Sequence, residues 1–354
     1  MDKKIRLGFI GCGYMGQIAH IHNYAQLTDE CELVAVADMR TGLARKVADR
    51  YGIAEIYPDH QTMLAQADID AVVAIMGYAH HHAMIPDVLN AGKHVLTEKP
   101  MGCQAENARA WKEIADEKGV LYLVGYMKRW DLGTLETLRV INEWKDSGEY
   151  GALNYVRCTM AGTDWEWVNE KAIQSDEQVA SGPSAEGFPG RFTSDEADYY
   201  NTQINFYVHQ VNLLRYLLGE DYDLTYTHPS GFVLTATTES GIPVTLEMSQ
   251  SRINRTWDEV YTFSFEKGDI QLSLPAPLRH QINGEVVIRR NVGETYETIT
   301  PNIAPPSWSF MEQARGFLAC IREGKLPFDS TGEAIRDLEI FEQQVDLMRS
   351  ARER

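Results

Sequence analysis

Three things are scarce in this 354-residue chain: long apolar runs, paired cysteines and positive charge. No run of apolar residues approaches the roughly 20 needed to span a bilayer. The five cysteines (Cys12, Cys31, Cys103, Cys158 and Cys320) are odd in number, widely spaced and free of any CxxC pair. That pattern argues against a disulfide frame or a zinc knuckle and for free thiols in a reducing compartment. Lys and Arg together number 33 against 51 Asp and Glu, a formal net charge of −18. A surface this negative repels phosphate backbones and anionic lipid, so nucleic-acid and membrane-surface partners are not expected, while a local basic pocket remains possible. Leu7–Ile10 follows Lys3, Lys4 and Arg6 but is too short for a signal peptide, and a cytoplasmic location is expected. No internal repeat or low-complexity tract stands out.

What is present is the ordinary composition of a globular protein, at a length that favours two domains. Over the first 125 residues short apolar runs alternate with amphipathic segments. Strands are expected at Lys4–Ile10, Glu32–Asp38, Ala71–Met76, His94–Thr97 and Val120–Val124. Helices are expected from the glycine-rich turn to about Leu27, at Thr41–Tyr51, at Gln61–Gln66 behind an Asp59 N-cap, at His81–Ala91 closed by Gly92, and at Ala105–Lys118 closed by Gly119. Repeated β-α-β with wholly apolar strands means a parallel sheet covered on both faces. After Gly125 the rhythm changes. A helix is expected at Leu132–Lys145, a strand at Asn154–Met160, a long loop from about Gln174 to Tyr200 and a continuous helix over 203–218. A run of hairpins follows to Thr300, then helices at about Phe310–Glu323 and Thr331–Arg349. The fold expected is α/β, with a doubly wound parallel sheet in residues 1–125. Residues 126–354 are expected to form an α+β domain with a large, open, mainly antiparallel sheet, whose last helices can pack back on the first domain.

Gly11-Cys12-Gly13-Tyr14-Met15-Gly16 follows an apolar strand and opens a helix. Gly11 permits the tight turn, Gly13 lets a pyrophosphate approach the backbone, and Gly16 lets helix and strand pack closely. Phosphates would meet the unpaired N–H groups of the helix start. Asp38 ends the next strand, where a carboxylate accepts hydrogen bonds from the adenosine ribose and repels a 2′-phosphate. NAD is therefore expected over NADP, although Arg40 could stack on adenine or reach a 2′-phosphate. Cys12, Tyr14, Met15, Met39 and Met76 are expected to contact the cofactor as well. A second cluster, Gly92-Lys93-His94-Val95-Leu96-Thr97-Glu98-Lys99-Pro100, puts Lys99 at the exit of a buried parallel strand, where open α/β sheets bind ligands. A lysine there can equally be a solvated strand end. Pro100 can hold a cis bond that fixes how Lys99 projects.

The glycine turn and Asp38, taken with Gly92–Val95 and Glu98-Lys99-Pro100, resemble the Gfo/Idh/MocA oxidoreductases over essentially the whole chain. Gly125-Tyr126-Met127-Lys128-Arg129-Trp130-Asp131 resembles the segment that follows the family's last dinucleotide-domain strand, and Ser309–Pro327 with the last helix resembles its ending. The resemblance implies a Rossmann domain followed by an open-sheet domain, bound NAD(P) and a sugar, glycoside or cyclitol as substrate. It further implies a catalytic Lys99, Glu98 and His81 beside the cofactor, and a homodimer or homotetramer formed through the second sheet. Three successive histidines, His80–His82, point about 100° apart on a helix and do not converge on a metal, so no metal site is expected.

In Asn205-Phe206-Tyr207-Val208-His209-Gln210-Val211-Asn212, positions 205 and 209 are i,i+4 and share a helical face. Family members commonly have Asp at the positions of Asn205 and Asn212. Asn cannot accept a proton as a base, which leaves His209 as the general acid/base and Asn205 to orient a hydroxyl or the imidazole. Tyr126, Lys128, Asp164, Trp165 and Arg191 are further candidates for substrate contact. Trp165 and Trp167 could offer an aromatic face to a sugar or could simply pack the loop base. Asp195-Glu196-Ala197-Asp198 reads as a solvated loop. Three functions fit: hydride transfer between nicotinamide and a secondary carbinol, a redox-neutral NAD-dependent glycoside hydrolase or lyase acting by transient ring oxidation, and a non-catalytic NAD sensor.

Overall fold

The computed structural model describes residues 3–161, 164–165, 171–179, 182, 184–249, 253 and 255–352. The chain divides into two compact units. One comprises Met1–Tyr126, Asn169–Asn201 and Gln313–Leu338, the other Met127–Val168, Thr202–Glu312 and Glu339–Arg354.

The first unit is built on six strands: β1 (Ile5–Ile10), β2 (Cys31–Ala37), β3 (Glu55–Tyr57), β4 (Ala71–Ala74), β5 (His94–Glu98) and β6 (Tyr122–Gly125). They lie in the order β3-β2-β1-β4-β5-β6, and every pair is parallel. This is the doubly wound order, which reverses direction between β1 and β4 and opens a crevice beyond their carboxyl ends. All four residues of β4 are buried, and Leu7, Phe9, Val95 and Leu96 are fully buried beside them. Apolar side chains therefore point to both faces of the sheet, and burial of each contributes about 1.5–3 kcal/mol. The helix Thr41–Tyr51 ends on Gly52 and Ala105–Lys118 on Gly119, both glycines in the left-handed region. Asp59 caps the helix His60–Gln66 by accepting from Thr62 N at 2.7 Å.

Two expectations for this unit need correction. The helix foreseen at His81–Ala91 begins instead as a 3₁₀ turn, Tyr78–Ala83, and becomes α-helical only over Ile85–Asn90, with Pro86 in its first turn. The first residues after the glycine turn are wound more widely, Gly16–Ile21 forming π-helix. Tyr78–Ala83 and β3 are short and carry little periodicity, which is why a pattern reading misplaces the first and passes over the second.

Among the described residues the second unit carries eight strands: β7 (Leu153–Met160), β8 (Tyr222–Thr227), β9 (Val233–Thr238), β10 (Pro243–Met248), β11 (Glu259–Phe265), β12 (Gly268–Ser273), β13 (Glu285–Val292) and β14 (Thr295–Ile299). Their order is β14-β13-β12-β11-β7-β10-β9-β8. The β7–β10 pair is parallel and the other six are antiparallel, so the sheet is large and mainly antiparallel, as expected. Alternate residues are buried, as along β11, where Tyr261 and Phe263 are fully buried. Helix Leu132–Ser147 sets Trp144 edge-on to Phe265 at 5.1 Å. The loop expected over 174–200 is helical from Ser194, and the helix expected over 203–218 is two helices, Ser194–Phe206 and Val208–Leu218. They are separated at Tyr207, whose φ of −110° and ψ of 0° leave the helical region.

Candidate active site

The glycine turn leaves β1 at the reversal of strand order. Gly11 has φ +84°, and a Cβ there would stand 2.1 Å from the carbonyl oxygen of Ile75. A Cβ on Gly16 would stand 2.6 Å from the carbonyl oxygen of Gly11. These two glycines serve the turn and its packing. At Gly13 a Cβ would meet nothing nearer than Arg40 Nη2 at 3.5 Å, so this stretch of backbone is open to close approach. Tyr14 and Met15 are half-buried beside it, as is Met76 across the crevice. The arrangement fits a dinucleotide: an open backbone at the start of a helix, with a carboxylate at the end of β2.

That carboxylate, Asp38, is buried. Its Oδ2 accepts from Cys12 N at 3.0 Å and from Arg40 Nη2 at 3.0 Å, and its Oδ1 from Arg40 N at 2.9 Å and Arg40 Nε at 3.1 Å. Burial pushes its pKa up, but the Arg40 guanidinium and the two backbone N–H groups outweigh this and hold it below the ordinary value. Cys12 is buried, and burial with the neighbouring Asp38 charge raises its thiol far above the usual range, so it stays protonated and unreactive. Met39 is half exposed.

Lys99 follows β5 directly, half-buried, and its bond to Pro100 is cis. Glu98 Oε1 lies 2.8 Å from Nε2 of the buried His20, and Glu98 Oε2 accepts from Lys99 N at 3.3 Å. His20 sits in the π-helical stretch, a local winding that no periodicity forecasts, and it escaped the sequence reading. His81 is fully buried, with Nδ1 2.9 Å from the carbonyl oxygen of Met101. Burial lowers its pKa to about 4, so it is a neutral imidazole that donates from Nδ1 and presents Nε2 as a buried acceptor with no hydrogen-bond partner among the described residues. His82 turns away, to the carbonyl oxygen of Ala79. Among the described residues no cluster of three or more His, Cys, Asp and Glu could hold a metal.

In the second unit Lys128 is buried. Its Nζ lies 2.6 and 2.5 Å from the two oxygens of Glu259, which also accepts from Gln210 Nε2 at 2.7 Å, Trp257 Nε1 at 3.1 Å and Tyr261 Oη at 2.7 Å. Sequence reading missed Glu259: one acid at the start of a strand carries no local signal of four donors converging on it. Arg129, also buried, donates from Nε to Asn212 Oδ1 at 2.6 Å and lies over the Tyr216 ring, so Asn212 holds a buried guanidinium. His209 is buried in Val208–Leu218, while Asn205 is half-buried near the end of Ser194–Phe206. They lie on two helices separated at Tyr207, not on the one continuous helix expected. Asp164 Oδ2 accepts from Arg255 N at 2.8 Å, and Trp165 is partly exposed beside it. Trp167 lies outside the described residues. In the first unit, Tyr126 is buried after β6, and Arg191 is exposed with its guanidinium over Phe192.

Residues 5–126 match the sequence profile of the Gfo/Idh/MocA oxidoreductase family, an NAD-binding Rossmann fold. This part of the chain is similar to that family's NAD-binding domain. The chain is 32% identical over 220 residues to an inositol 2-dehydrogenase of Burkholderia lata, a match that takes in 62% of this chain and 56% of that protein. The chain thus spans little more than half the length of the relatives of this group that it matches. A scyllo-inositol 2-dehydrogenase (NAD+) of Bacillus subtilis is 25% identical over 357 residues, covering 96% of this chain and 93% of that protein. Among solved structures, a 3-ketoreductase from Actinomadura kijaniata in complex with NADP and TDP-benzene superposes with a TM-score of 0.70 at 18% identity, covering 98% of each chain, a likeness of fold.

Proposed function

We propose that this protein is an NAD(P)-dependent oxidoreductase that transfers a hydride between the nicotinamide and a secondary carbinol carbon of a cyclitol or sugar, with NAD preferred. The observation that carries the reading is the pairing, in one sheet, of the open Gly13 backbone and Asp38 with Glu98-Lys99 at the end of β5. The inositol dehydrogenases among its relatives supply the substrate class. When bound, the dinucleotide supplies the hydride acceptor or donor. Gly13 and the helix start hold its pyrophosphate, and Asp38 accepts from the ribose hydroxyls. The Nε2 of His81 offers an acceptor at the cofactor's side of the sheet.

Lys99 donates a hydrogen bond to the reacting oxygen of the substrate and stabilises the charge that grows there as the C–H bond breaks. His209 takes up the hydroxyl proton during oxidation and returns it during reduction, since an imidazole exchanges protons near neutrality. Asn205 orients the hydroxyl. Tyr126, Trp165, Asp164 and Arg191 complete the substrate contacts in this reading, and Lys128 acts from its place on Glu259. The dimer or tetramer formed through the eight-stranded sheet belongs to the same proposal.

The test is an absorbance screen at the NADH band with inositols, free sugars and glycosides, each with NAD and with NADP. Net NADH formed from a cyclitol or sugar supports the reading. Glycoside cleavage without net NADH would instead favour the redox-neutral cycle, and dinucleotide binding with no turnover of any polyol would favour a sensor.

A further inference from the structure

Helix Thr41–Tyr51 starts just beyond Asp38, and the N–H groups of its first turn carry the positive end of an 11-residue helix dipole. A 2′-phosphate on the adenosine ribose would look for this feature and for the Arg40 guanidinium. Both are already taken by carboxylates of this chain. Arg40 is hydrogen-bonded through Nε and Nη2 to Asp38. The N–H of Gly42, second residue of the helix, donates to Glu177 Oε2 at 3.1 Å. Glu177 comes from a segment 135 positions further along the chain.

Two details make this contact a built one. A Cβ on Gly42 would lie 2.1 Å from Glu177 Oε1, so only glycine leaves room for the carboxylate, at a position where glycine weakens a helix. The segment bearing Glu177 is tied to the glycine turn. Gln17 Oε1 accepts from Ile173 N at 2.7 Å, while Gln17 Nε2 donates to the carbonyl oxygens of Cys12, at 2.8 Å, and Ile173, at 3.2 Å. Gln17 is itself almost wholly buried.

We infer that Glu177 is a specificity-determining residue for the dinucleotide: with Asp38 it bars a 2′-phosphate and selects NAD over NADP. This rests on the dinucleotide reading above. A phosphate dianion brought to this corner meets two carboxylates and finds its natural donors engaged. The hydroxyl of NAD at the same place is neutral and can donate to either carboxylate.

The test is isothermal titration of NAD and NADP into the intact protein and into two variants, Glu177→Gln and Gly42→Ala. The unsubstituted protein is expected to bind NAD roughly tenfold or more tighter than NADP, and Glu177→Gln to tighten NADP about five- to tenfold with NAD changed less than about threefold. Gly42→Ala is expected to shift NADP the same way, because its Cβ displaces the flexible end of Glu177, and to leave the melting temperature no lower. A preference of the unsubstituted protein for NADP, or NADP affinity unmoved by Glu177→Gln while NAD still binds, overturns the assignment. Binding of neither dinucleotide overturns the cofactor reading and the assignment with it.

Discussion

The ammonium of Lys128 lies within 2.6 Å of both carboxylate oxygens of Glu259, and neither side chain has appreciable contact with solvent. Removing one partner leaves the other charge buried and uncompensated, which typically costs 3–5 kcal/mol, roughly. Glu259→Ala is therefore expected to lower the unfolding free energy by about that amount in urea titrations, since Gln210, Trp257 and Tyr261 lose an acceptor as well. Glu259→Gln, which keeps one carbonyl acceptor, should lose about half as much. Equal stability of Glu259→Ala and the parent would mean that the pair is not buried as described.

In the proposed reaction Lys99 separates binding from chemistry. Lys99→Ala is expected to lower turnover by about 10²–10⁴-fold, the usual contribution of a general acid or of a donor to a developing oxyanion. Dinucleotide affinity, which the proposal assigns to the glycine turn and Asp38, should change by less than about threefold. Steady-state kinetics with titration calorimetry measures both. Full turnover in the variant would remove Lys99 from the reaction.

His81 gives a pH signature. Its folded pKa is lowered by burial to about 4, against an ordinary 6.5. The unfolded chain therefore binds more protons than the folded one between these values. The stability that the neutral imidazole contributes is complete above pH 6.5 and is lost as pH falls towards 4. For this one group the loss between pH 7.5 and pH 4.5 is roughly 2–3 kcal/mol. His81→Asn, which can still donate to Met101 O, should flatten the pH dependence of the unfolding free energy by about that amount. An unchanged slope would show that His81 is not buried and neutral.

The parts of the molecule legible in the sequence are those written in local chemistry. Wholly apolar strands such as β4 point to a parallel sheet, and Gly92 and Gly119 mark helix ends with positive φ. Gly11 to Gly16 and Asp38 fall where strand, turn and next strand put them. Illegible features depend on distant partners. β7 stands in the middle of the second sheet, parallel to β10, a neighbour some 90 residues away that no hairpin signal can specify. Glu259 looks like any strand acid until Lys128 and Gln210 arrive from other elements. Glu177 lies in a stretch without periodicity, and its role exists only because Gly42 leaves a gap. The break at Tyr207 is hidden because the apolar spacing of Ile204, Val208 and Val211 continues a helical pattern across it.

The central claim is that a hydride passes between a substrate carbinol carbon and the dinucleotide. The most direct measurement is incubation of the protein and NAD with an inositol deuterated at its ring carbons, followed by mass spectrometry of the recovered dinucleotide. Deuterium carried into the reduced nicotinamide, at a rate lowered about 10²–10⁴-fold when Lys99 is replaced by alanine, is the predicted result. A ketone product with the deuterium of its oxidised carbon released to water, or no labelled dinucleotide from any deuterated cyclitol or sugar, would contradict the account.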